Sequence, residues 1–290
     1  DGFMSDVMTV KHLARRSRSD WLVCHLVAIH MDDMANQAIG IAVGSGIFSG
    51  PQCAKLAGAM DNLEPLPPMW IAMDRGERWS GLDIVQFIAK GQLEMLGMDN
   101  ADNDRWMKPL KTIDRDSVDW NAVLKHMNGL SDEMVAILKS PSVKDELAAQ
   151  HKFDRNLAAI KATQSRQPSL RKRAEETNDA YSQRVADAII VACTPTISRA
   201  ENSDRRLLIR ELLSRAVVAA GQYKAEKGKW PDKLDDLTPE YLPVRLNETL
   251  ANLNAEPIRY QHRDAAIFLH TREFWNEGDP ASQDIFAGVR

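Results

Sequence analysis

Apolar residues recur at helical spacing through most of this chain, from Met4 to Lys227. Residues 6–16 read as a helix end rich in basic side chains. Ser17 or Ser19 can cap a second helix over about residues 20–43. There Trp21, Leu22, Val23, Leu26, Val27, Ile29, Met31, Met34, Ala35, Ala38, Ile39 and Ala42 cover nearly the whole circumference. A helix that is apolar all round is expected to be central and buried. Gly44-Ser45-Gly46 ends it, and Ser49-Gly50-Pro51 opens a third helix that runs to about Asn62. Leu66-Pro67-Pro68 opens a fourth, reaching Lys90.

The polar stretch 91–115 reads as an exposed insertion, because it is long for a loop in a compact domain. Further helices are expected over residues 116–139, 141–162 and 173–192, with a connector at 163–173. Thr194-Pro195-Thr196 breaks the run. The last long helix spans 198–227, with Leu208, Leu212, Ala216, Ala219 and Tyr223 as its apolar stripe. Beyond it, 257–261 and 266–270 alternate like two strands around a turn at His262-Arg263-Asp264. A lone hairpin is marginal in water, so this one is expected to pack on the long helix. Ile258, Tyr260, Ile267 and Leu269 are its expected inward residues. The fold class expected is mainly α: a helical body over residues 1–197, then a small α+β lobe over 198–290.

The corner between helix and hairpin is the most specific segment. Gly228 stops the helix and is expected in a left-handed conformation. Trp230 is expected under the hairpin, and Pro231 in the first turn of a short helix carrying Leu234 and Leu237. Gly228-Lys229-Trp230-Pro231, then Pro239-Glu240-Tyr241-Leu242-Pro243, then Pro257-Ile258-Arg259-Tyr260, resembles the C-terminal lobe of type II secretion pseudopilins. The likeness is closer still to a group of proteins in planctomycete-type bacteria that end in this lobe. Residues 22–34 resemble that group's central helix, and Arg75-Gly76-Glu77-Arg78 resembles its next one.

The resemblance implies an envelope or periplasmic location if an anchor or signal precedes this segment, and a cytoplasmic one otherwise. The start at Asp1-Gly2-Phe3, without an initiator Met, reads as a fragment or processed product. Two family features have no counterpart here. Nothing matches the hydrophobic first helix of true pseudopilins. The end of the chain, residues 272–290, lacks the Gly-Asp-rich calcium loop. Glu273, Glu277, Asp279 and Asp284 do not follow EF-hand spacing and read as solvated charges.

Composition narrows the function classes. A net charge of -4 gives no electrostatic case for nucleic acid. No charge-free apolar run is long enough to span a membrane. Cys24, Cys53 and Cys193 are too few and too far apart for a disulfide framework or a zinc site, and read as small buried hydrophobes. No nucleophile elbow, phosphate loop, dinucleotide fingerprint or His-Glu-x-x-His is present, so no catalytic residue, metal or cofactor is expected.

Two polar groups stand out on the apolar helices. The first is His25, His30, Asp32 and Asp33, with Gln37; of these His30, Asp33 and Gln37 share a helix face, and Arg75, Glu77 and Arg78 interrupt another helix as the second group. A histidine beside a carboxylate fits a metal or acid–base pair. It equally fits a buried network that fixes helix packing. The structural network is the expected reading, with Asp33 paired to Arg75 or Arg78. The function expected is that of a non-enzymatic envelope protein that holds a protein partner or a second copy of itself. An enzyme built around His30, Asp33 and Glu77, or a helical scaffold with a binding groove, are the alternatives.

Overall fold

A computed structural model describes residues 2–17, 20–96, 108–166, 169–193, 197–242, 246–253, 255–263, 266–272 and 284–289. The described chain is mainly α. Helices α1 (Gly2–Ser17), α2 (Leu22–Gly44) and α3 (Gly50–Asp61) come first. Helix α4 covers residues 70–90 and contains a π-turn, Met73–Glu77. Helices α5 (Trp120–Leu138), α6 (Val143–Arg166), α7 (Asn178–Cys193) and α8 (Ile197–Lys227) follow. The short α9 (Leu246–Asn252) precedes strands β1 (Arg259–Arg263), β2 (Ala266–Arg272) and β3 (Asp284–Val289).

Local chemistry accounts for most of these boundaries. Ser49 begins α3 with a capping box, in which Gln52 accepts from the Ser49 backbone N–H, and Pro51 sits in the first turn. The Asp119 side chain accepts from Asn121 and Ala122 at the start of α5. Gly91 stops α4 at a φ of 72°, and Gly228 follows α8 at a φ of 76°. Helix α6 runs on to Arg166, through the first part of the segment expected to be a connector. The expected break at 194–196 and residues 97–107 of the expected insertion lie outside the described residues.

The three strands form one antiparallel sheet with β2 in the middle. The third strand was not foreseen from the sequence. Ile267 and Leu269 are fully buried, Ile258 is buried and Tyr260 is half-buried. They share a cluster with Trp230 and with the α8 side chains Leu213 and Ala216. Pro231 lies ahead of the 3-10 turn Leu234–Leu237, not in its first turn. The Asp236 carboxylate caps that turn instead, accepting from the Asp232 and Lys233 backbone N–H groups.

Buried side chains divide into two clusters, and the division does not follow residue 197. One cluster joins α1, α2 and α3 to α8, α9 and the sheet. The other joins α4 to α7, with Leu22 at the start of α2. Helices α1 to α3 therefore pack mainly with α8, α9 and the sheet, and the middle helices form their own core. Helix α8 is the central element of the first cluster: every residue from Ala216 to Ala220 is fully buried.

Helix α2 is not the fully buried helix that its composition suggested. Its other faces pack on α1, α8 and β3, but Val23, Val27, His30, Met34, Gln37 and Ile41 are exposed. Composition says that a face is apolar; only the packing neighbours decide which apolar face they cover.

Candidate functional site

The densest group of charges lies where α1, α2 and α8 meet, inside the first core. Lys11 and Arg15 stand one helical turn apart on α1, Asp32 on α2 and Glu211 on α8. The Lys11 and Asp32 side chains are fully buried, and Arg15 is nearly so. Lys11 Nζ donates to Asp32 Oδ2 at 2.8 Å and lies 3.5 Å from Glu211 Oε1. Arg15 Nη1 donates to Asp32 Oδ1 at 2.6 Å, and Nη2 to Glu211 Oε1 at 2.7 Å. Arg15 Nε reaches the Glu64 carbonyl at 2.7 Å, and Asn36 Nδ2 adds a third donor to Asp32.

The quartet carries two positive and two negative charges and is neutral as a unit. Its two carboxyls respond differently to burial. Burial alone would raise the Asp32 pKa, but the adjacent Lys11 and Arg15 outweigh it and hold the group below the usual carboxylate range. At Glu211 burial wins: the pKa is raised, helped by the negative Asp32 and opposed by Lys11 and Arg15. Each formal charge has an opposite charge within hydrogen-bond reach. That is the condition under which charges persist in a core.

The five polar residues singled out from the sequence do not form one network. Asp33 does not reach Arg75 or Arg78. It lies 2.5 Å from Arg210 on α8 and accepts from Gln37. His30 is exposed on α2. Arg75 pairs with Asp20 at 3.1 Å, both of them exposed. Glu77 Oε1 accepts from the Leu22 backbone N–H at 3.3 Å. Arg78 binds Asp74, Asn128 and Asp132 at 2.6–2.8 Å. The physical reason is the π-turn, which adds a residue to one turn and re-aims 75–77 toward the link between α1 and α2. Gly76 donates its backbone N–H to the Asp20 carbonyl at 2.9 Å, and a Cβ there would stand 2.1 Å from that oxygen. Arg75, Gly76 and Glu77 thus clamp the start of α2 to α4.

Lys11, Arg15 and Glu211 were missed, and Asp32 was named in the first polar group without its partners. The available signal was a pair of cations at i, i+4 on α1 and an acid beside the α8 stripe. At the corner, Trp230 is 4% exposed, and Lys224 Nζ lies 4.1 Å from its ring centroid. Tyr260 donates its hydroxyl to the Pro231 carbonyl.

Elsewhere an open hollow of about 480 Å³ runs between α4 and α5, lined by Trp79, Asp83, Lys125 and Asp132. It is wide open, and Asp132 is already held by Arg78. Among the described residues no cluster of His, Cys, Asp and Glu has metal-binding geometry, and no helix is long and apolar enough to cross a membrane. Comparison of the chain with protein-family models, with curated proteins and with solved structures finds no match.

Proposed function

We propose that this chain is a non-enzymatic helical protein of the bacterial cell envelope that acts by holding a protein partner or a second copy of itself. The observation that carries this reading is the quartet of Lys11, Arg15, Asp32 and Glu211. Lys11 and Asp32, both fully buried, are engaged with each other and with Arg15 and Glu211, across three helices, at 2.6–3.5 Å. Groups so engaged fix how helices pack. An enzyme built on His30, Asp33 and Glu77 would need those three side chains to converge. Their partners lie apart: Arg210 and Gln37 for Asp33, the Leu22 N–H for Glu77, and an exposed position for His30.

The envelope assignment and the pseudopilin-like character of residues 198–290 are part of the proposal, and the corner motif supports them. Helix α8, the left-handed Gly228, buried Trp230 and the sheet follow the order of the lobe that the sequence resembles. Cell fractionation with an antibody to the native chain tests the reading. The expected result is recovery in the envelope fraction, within an assembly larger than the chain itself. Recovery as a free cytoplasmic monomer would overturn it.

A further inference from the structure

The exposed residues of α2 have a spacing of their own. Val23, Val27, His30, Met34, Gln37 and Ile41 are the exposed positions of this helix, and they are separated by four, three, four, three and four residues. That alternation places all six on one face of the helix, as a continuous stripe along which another helix can pack lengthwise. The stripe is about 27 Å long at 1.5 Å per residue. Its end residues are the most exposed of its apolar side chains, Val23 at 69% and Ile41 at 71%. None of its six side chains is Asp, Glu, Lys or Arg.

We propose that α2 is a homodimer seam, on which two copies of this chain pack their stripes antiparallel about a two-fold axis. Three observations favour a second copy as the occupant. The stripe is uncharged, so self-pairing opposes no like charges. With the axis midway between His30 and Met34, Val23 meets Ile41 of the second copy, Val27 meets its Gln37 and His30 meets its Met34. The most exposed apolar ends are then covered together, and no polar residue faces its own copy. The helix dipoles also run in opposite directions in this arrangement. Covering six such side chains on each copy removes on the order of 1,000 Å², the threshold for a specific interface. Ile47, 65% exposed just beyond the helix, extends the same surface.

The proposal rests on the reading of the chain as an interaction protein, and the two fail separately. A purified monomer whose native form still sits in a larger envelope assembly sinks only the seam. A stripe dimer found free in the cytoplasm sinks only the envelope reading.

Sedimentation equilibrium of the purified chain tests the seam. The expected result is twice the chain mass, with Val27→Glu and Met34→Glu each weakening the dimer at least about tenfold, because every substitution occurs twice. Trp79→Ser on α4 should leave the dimer unchanged. Both glutamates replace exposed residues, so unaltered circular dichroism is expected. A chain that stays monomeric at about 100 µM overturns the proposal. So does a dimer that both glutamate variants leave intact. Oxidative cross-linking in a Cys24→Ser background checks the orientation. A mixture of His30→Cys and Met34→Cys chains should couple faster than either chain alone, and equal rates would overturn the antiparallel pairing.

Discussion

Asp32→Ala is the sharpest test of the buried quartet. Asp32 is fully buried and accepts from Lys11, Arg15 and Asn36. Its removal leaves Lys11 and Arg15 in the core with Glu211 as their remaining carboxylate, at 3.5 and 2.7 Å. Breaking a buried pair from one side costs about 3–5 kcal/mol. Against a typical total stability of about 5–15 kcal/mol, that is a large fraction. At roughly 2–4 °C per kcal/mol for a chain approaching this size, the melting midpoint should fall by about 6–20 °C at neutral pH. The sign of the pH dependence follows from the lowered Asp32 pKa. Its contribution is present above the unfolded value, about 3.9, and is lost as pH falls through the lower folded value. The gap between wild type and variant should therefore be widest near neutrality and narrow below about pH 4. Thermal unfolding followed by circular dichroism from pH 3 to 8 measures both. A midpoint within a degree or two of wild type at pH 7 would refute the reasoning. Replacing all four residues by apolar ones of similar volume should recover much of the loss.

Four further outcomes are expected. Glu211 has a raised pKa, so its contribution is full below its unfolded value of about 4.3 and is lost as pH rises through the folded value; Glu211→Gln should gain on wild type in stability between pH 4 and 8, and a constant difference would count against this. Trp230→Ala should cost about 3–5 kcal/mol in a urea titration, because the ring is almost fully buried; an unchanged midpoint refutes the packing. Gly76→Ala should cost about 1–3 kcal/mol, since its Cβ would meet the Asp20 carbonyl, and a melt unaltered by this variant would argue against the clamp on α2. Burial pushes the Cys53 and Cys193 thiols up to about 11, so both should resist a thiol reagent at pH 8 until denaturant is added; rapid native labelling of all three cysteines contradicts it.

Helix positions were legible in the sequence because periodicity and capping are local. Ser49-Gly50-Pro51 and Gly228 state their own roles, and α8 starts within a residue of its expected position. Interior polar contacts were less legible, since the partner of a buried charge is chosen by tertiary packing. Lys11 and Arg15 look like an ordinary basic helix end until α2 and α8 close over them. His30, Asp33 and Gln37 do share a side of α2, as their spacing requires. The edge of the core runs between them, leaving Asp33 buried and the other two exposed. The π-turn in α4 redirected Arg75 and Glu77, and only Trp70–Ala72 precede it in the helix, too few residues for a shift in apolar phase to be read.

The core that α1, α2 and α3 share with α8 has a consequence for biosynthesis. Arg15 and Glu211 are 196 residues apart, and the middle core lies wholly between them. On a ribosome adding about 5–20 residues per second, the first helices wait roughly 10–40 s for α8 to emerge. The middle segment can consolidate during that interval, while α1, α2 and α3 carry uncovered apolar faces and an unfinished ion cluster. The nascent chain is therefore most vulnerable over α1, α2 and α3, and a holding chaperone would have its longest engagement with those helices.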